Sequence, residues 1–148
     1  KAEGYLQKAV ELNPRDAEAW INLGLVRYRL DMPQAANAAF LESVAVTPVG
    51  SKTAAFALYN LGNLQSEQGD TKGAIKSFSR AVEVDDTLAD AFFNMGVIYQ
   101  KKEAFEEALN CYKKAAVADP NLREAQSAMD GIRYYCSCMR EKELKHAP

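Results

Sequence analysis

At 148 residues, with 48% hydrophobic and 26% charged content, the chain has the composition of a cored globular domain and not of a disordered segment. Its formal net charge of -2, with acidic and basic residues interspersed, gives no general attraction for phosphate backbones or anionic lipid. No apolar run approaches the roughly 20 residues of a membrane-spanning helix and no signal segment opens the chain, so neither nucleic acid nor membrane is an expected partner.

The first element, "KAEGYLQKAVELNP", is amphipathic from its first residues and carries no initiator methionine, as in a fragment of a longer protein. After it, apolar residues at helical spacing alternate with short breakers. Trp20, Leu23, Gly24, Arg27 and Tyr28 keep the three-and-four rhythm, as do Phe78, Ala81 and Val82. Breakers at "LDMP", "QGDTKG" and "KKEAF" predict antiparallel pairs with helices over 17–30 and 33–46, 54–68 and 71–84, 88–102 and 105–118. Four extra residues around "VGSKTAA" either lengthen the third of these helices by about one turn or form a loop. Beyond Pro120, Ala125, Met129, Ile132, Cys136 and Met139 place one apolar stripe on a polar helix, the pattern of a terminal cap.

The pairs repeat in sequence as well as in pattern. "WINLG", "LYNLG" and "FFNMG" end on Gly24, Gly62 and Gly96, at steps of 38 and 34 residues. Ala9, Ser43, Ala81 and Ala115 keep steps of 34, 38 and 34, and so do Pro14, Pro48, Asp86 and Pro120. Such periods mark stacked supersecondary units. Small residues at Gly24, Gly62, Gly96, Ala36, Ala74 and Ala108 let paired helices approach, with large residues beside them. Trp20, if fully buried, contributes roughly 3 to 5 kcal/mol relative to Ala.

The motif residues resemble those of the tetratricopeptide repeat family. The first full repeat matches at Trp20, Leu23, Gly24, Ala36, Phe40, Ser43 and Pro48, and the second at Leu58, Leu61, Gly62, Ala74, Phe78, Ala81 and Asp86. The third matches at Phe92, Met95, Gly96, Tyr99, Ala108, Tyr112, Ala115 and Pro120, while Leu6, Ala9 and Pro14 match only the second half of an earlier repeat. The resemblance implies an all-α fold, a right-handed superhelical solenoid of antiparallel helix pairs with a C-terminal capping helix. As a single domain over 1–148 it divides into 1–16, 17–50, 51–88, 89–122 and 123–148. Arg27 and Gln65 stand where the family pattern has an aromatic, and Asp86 replaces a proline, so looser joints are expected there.

The first helix of each pair should line a concave face. With Trp20, Leu58 and Phe92 toward the core, Asn22, Asn60 and Asn94 point about 100 to 200 degrees away. An asparagine amide offers donor and acceptor together, so a ladder of them can bracket an extended peptide's main chain. The competing reading is an exposed, tolerated residue. The candidate peptide-binding set is Asn22, Asn60, Asn94 and Asn63 with Ile21, Tyr59, Phe93, Arg29 and Lys101 alongside, although the apolar members are equally suited to packing between repeats. Family members that clamp the acidic tails of chaperones use a lysine, asparagine and arginine set. Here those positions hold Ile21, Leu25, Asn60, Asp90 and Asn94, and only Asn60 agrees, which disfavours that ligand. Glu18 and Asp90 near the groove mouth favour a neutral or partly basic one.

No enzymatic activity, cofactor or metal is expected. His146 is a lone histidine in a polar tail, "CSC" at Cys136 to Cys138 lacks zinc-knuckle spacing, and Cys111 reads as a packed residue. Neither a phosphate-binding "GxxxxGK" nor a dinucleotide "GxGxxG" occurs. An odd cysteine count points to a reducing, intracellular setting, with the cytoplasm the expected compartment. The expected partner is a protein or peptide. The alternative is a structural scaffold or assembly subunit that docks partners, or a second copy of itself, through its convex face or capping helix.

Overall fold

The computed structural model describes residues 1–145, which leaves His146 outside the described residues. The helices are α1 (Ala2–Leu12), α2 (Ala17–Arg29), α3 (Pro33–Val46), α4 (Lys52–Glu67), α5 (Thr71–Val84), α6 (Ala89–Lys101), α7 (Phe105–Ala118) and α8 (Arg123–Lys145). No strand occurs among the described residues. They form two compact units, Lys1–Asp86 and Thr87–Pro148, described separately.

In the first unit α2 pairs with α3 and α4 with α5 around a glycine set against a ring. A Cβ built on Gly24 would lie 2.5 Å from Cε1 of Phe40, and one on Gly62 would lie 2.7 Å from Cδ1 of Phe78. Both rings are fully buried. Absence of a side chain on the first helix lets the ring of the second lie on its backbone, where close packing is energetically rewarded. The second unit repeats the joint between α6 and α7, where a Cβ on Gly96 would lie 2.6 Å from Cε1 of the buried Tyr112.

The turn inside each pair also repeats. Met32 N–H donates to the Arg27 carbonyl at 2.9 Å, Asp70 N–H to Gln65 at 2.8 Å, and Ala104 N–H to Tyr99 at 3.0 Å. A tighter bond runs inside each, from Asp31 to Tyr28 and from Gly69 to Ser66 at 3.1 Å, and from Glu103 to Gln100 at 3.0 Å. Together these are Schellman caps, which require a left-handed residue. Gly69 takes φ 80° without a Cβ penalty, while Asp31 and Glu103 hold φ 57° and 58° with one.

The joints at Arg27 and Gln65 carry polar links. Arg27 Nη2 donates to Gln7 Oε1 at 2.7 Å and its Nε to Glu3 Oε1 at 3.3 Å, fastening α1 to α2. Ser77 Oγ, buried, donates to Gln65 Oε1 at 2.6 Å, fastening α4 to α5. Ser43, also buried, donates to the Ala17 carbonyl at 2.9 Å. Trp20 is only partly buried: it packs at the margin of the Val10, Ala19, Leu23 and Ala39 cluster while its indole N–H donates to the Pro14 carbonyl at 2.9 Å. Its truncation therefore falls below the cost of a fully buried ring.

The inserted residues divide between turn and helix. Ser51 N–H closes on the Pro48 carbonyl at 3.2 Å with Gly50 at φ 83°, and α4 then runs for 16 residues against 13 for α2 and α6. In the second unit α8 buries Met129 and Ile132 over Ala108 and Tyr112, with Cys136 partly buried beside them, and Ala125 is buried one turn earlier on the same helix. The expected stripe ends there, since Met139 is exposed and Leu144 more so.

Two substitutions separate the joint from the turn. Gly62→Ala should lower stability by about 1 to 3 kcal/mol through overpacking on Phe78, although propensity alone favours alanine by about 1 kcal/mol. Glu103→Gly should raise it by about 0.5 to 1 kcal/mol by relieving the left-handed φ. Denaturant midpoints at constant slope check both.

Candidate peptide-binding face

The ring pins the rotation of each first helix, and this fixes which residues remain outside. On α2, Asn22 is exposed while Ile21 is buried, at 4% exposure, and Leu25 packs against the cluster of Ala36, Phe40, Leu61 and Leu64. Residues beside the asparagine thus turn toward α4. On α6 the corresponding Phe93 and Val97 pack against Tyr112, Met129 and Ile132, with Phe93 and Tyr112 ring centroids 5.3 Å apart. Phe93 is therefore committed to the core of the second unit.

Tyr59 is partly buried between two rings, with centroids 6.0 Å from Phe78 and 6.4 Å from Phe56. Phe56 is the exposed one of the three. Asn60 Nδ2 donates to the Phe56 carbonyl at 2.8 Å, so one of its donors serves its own helix and the amide keeps its second N–H and its oxygen. Asn63 and Asn94 are partly buried and already engaged in interactions. Arg29 and Lys101 are exposed in the last turns of α2 and α6, where a cation complements the helix dipole.

A cleft of about 380 Å³ opens between α2 and α4, lined by Glu18, Ile21, Asn22, Lys52, Thr53 and Phe56. The first turn of the lengthened α4 builds one wall of it. Phe56, Lys52 and Thr53 lie outside the sequence-derived set. Their signal was the four-residue insertion, together with the placement of Phe56 one helical turn before Asn60.

Farther along the same helices, Tyr28 hydroxyl donates to Glu67 Oε1 at 2.5 Å. That bond, then burial and the Glu67 charge, hold the Tyr28 hydroxyl above the ordinary tyrosine value. Burial likewise pushes up the Cys111 thiol against the opposing pull of Lys114, which keeps it unreactive. Among the described residues, no three histidine, cysteine or acidic side chains converge in a way that holds a metal. Also among them, no helix is long and apolar enough to cross a membrane.

The repeated joints, turns and periods define a helix-pair repeat protein. Residues 5–36 and 89–122 match tetratricopeptide repeat models and residues 62–103 match a TPR repeat model. The chain belongs to the tetratricopeptide repeat family. It is 32% identical over 116 residues to the probable UDP-N-acetylglucosamine–peptide N-acetylglucosaminyltransferase SPINDLY of Hordeum vulgare, covering 76% of this chain and 12% of that protein. It is 29% identical over 150 residues to protein O-mannosyl-transferase TMTC3 of Homo sapiens, covering 99% of this chain and 15% of that one. The chain thus spans a small part of the curated relatives it matches. The solved structure of MamA superposes with a TM-score of 0.77 at 23% identity, covering 95% of this chain and 79% of that chain, a likeness of fold.

Tyr28→Phe removes the link between α2 and α4 without emptying space. Because the folded value is raised, the link contributes below the unfolded tyrosine value and is lost as pH rises through the folded one. The wild type should therefore lose stability more steeply than Tyr28→Phe above pH about 10. Urea denaturation at pH 8 and pH 11 reads the difference.

Proposed function

We propose that this chain is a non-catalytic module that holds an extended segment of a partner protein against the outward face of α2 and α4. The observation that carries the reading is the α2–α4 cleft, in which the exposed Asn22 and Phe56 stand over the buried Ile21. Repeat architecture of this family supports protein interaction in general. Asn22 and the amide of Asn60 supply main-chain partners in the first unit. Hydrogen bonds of about 0.5 to 1.5 kcal/mol each give weak binding alone, so Phe56 provides the anchoring apolar surface. The transferase activities in the relatives' names are not assigned to this segment.

A display screen of random octapeptides tests the reading. Selected peptides should lose about tenfold or more in affinity for Asn22→Ala/Phe56→Ala, by the ordinary size of an exposed aromatic anchor plus one hydrogen bond. Peptides that bind both proteins equally would remove it, provided that the two melt alike.

The scaffold reading is favoured by one observation, the outer surface of α8, where Tyr134, Met139 and Leu144 are exposed. If α8 mediates self-association, sedimentation equilibrium will show dimers that Tyr134→Ser/Leu144→Ser dissociates. A monomer at 100 μM, roughly a hundredfold above a micromolar Kd, would exclude that form of it.

A further inference from the structure

The two charges on the rim of the α2–α4 cleft are not equivalent. Lys52 Nζ lies 3.9 Å from Asp85 Oδ2 at the end of α5, and its own side chain is 82% exposed, so water screens its charge. Glu18, in the first turn of α2, takes part in no ion pair among the described residues. The positive end of α2 is met by Asp16, whose Oδ1 accepts from Ala19 N–H at 2.9 Å. Glu18 is thus the cleft-lining charge that takes part in no ion pair among the described residues, and it faces the positive end of α4.

Around this carboxylate stand an exposed aromatic face and an amide. Phe56 is 44% exposed, and its ring is steadied by the stack on Tyr59 at 6.4 Å and 27°. Asn22 is exposed beside it. A guanidinium is the side chain that uses all three: its plane lies on a ring, its donors match a carboxylate, and a remaining donor reaches an amide oxygen. An ammonium uses the first two less well, and a carboxylate ligand meets Glu18.

We propose that the cleft formed by Glu18, Asn22, Phe56 and Ile21 is a pocket for a basic side chain, arginine foremost, of the bound partner. This rests on the peptide-binding reading above and gives it a specificity. The lengthened first turn of α4 is then a recognition device, since it brings Lys52 within reach of Asp85 and carries one wall of the pocket.

The test compares two probes of the same length and shape, acetyl-Ala-Arg-Ala-amide and its neutral counterpart acetyl-Ala-citrulline-Ala-amide, titrated into the ¹⁵N-labelled chain. The arginine probe should shift the amides of Glu18, Asn22 and Phe56, with about tenfold tighter binding than the citrulline probe. Glu18→Gln should bring the two probes together while the chain stays folded, with only the small drop in melting point that loss of a first-turn carboxylate gives. Equal binding of the two probes, or shifts centred elsewhere, would overturn the pocket. The octapeptide screen separates the two ideas. Groove-dependent peptides without arginine or lysine enrichment would overturn the pocket and leave peptide binding standing. Cleft shifts with the arginine probe and no groove-dependent octapeptide would support the pocket and remove the extended-segment reading.

Discussion

A ring lying on the backbone of a glycine is the constraint from which the rest of this structure follows. Phe40 on Gly24, Phe78 on Gly62 and Tyr112 on Gly96 bring each helix pair closer than any residue with a Cβ would permit. The approach fixes separation and rotation together, because a ring seated on one face of a helix leaves that helix no freedom to turn. Polar groups then adapt to the joint from repeat to repeat. Gln65 receives Ser77, Arg27 reaches back to α1, and the Tyr112 hydroxyl finds Gln100 Oε1 at 2.7 Å. Different chemistry thus serves one geometry, and among the described residues no buried side-chain nitrogen or oxygen lacks a partner.

Fixed rotation explains the division of the residues around each asparagine. Ile21 and Phe93 are drawn into packing, because a residue one place before the asparagine faces the next helix to stack on its own. Asn22 remains outside, and Asn60 sits at the boundary, half engaged with its own helix. The three asparagines are therefore not equivalent copies of one ligand group. Their common sequence reflects a common place on the helix, while neighbouring side chains decide how much amide each has to offer.

The inserted residues change the first unit in a way that neither other repeat shares. An extra turn on α4 gives the cleft a wall that α2 and α6, at 13 residues each, do not build. Lys52, on that turn, lies 3.9 Å from Asp85, while Glu18 on the facing helix takes part in no ion pair among the described residues. In the second unit the corresponding surface is used differently, since α8 covers Phe93 and Val97 over its first half.

Much of the fold was legible in the sequence because it is written in small local codes that recur. Helix limits followed from breakers and apolar spacing, and the glycine and aromatic positions followed from a period that returns with the same residues. The capping stripe was legible as far as Cys136, the last position at which α8 still has a core to cover. The face was only partly legible. Asn22 was placed outside correctly, but the exposure of Phe56 and the burial of Ile21 depend on which helix stacks against which, and periodicity along one helix carries no such information. The fate of the inserted residues was open for the same reason. By itself the sequence determined the repeat, the pairs and the joints, all set by contacts within one unit of about 34 residues. Only the tertiary structure decided the cleft, because its walls and floor come from α2 and α4 together, and their meeting depends on packing between repeats.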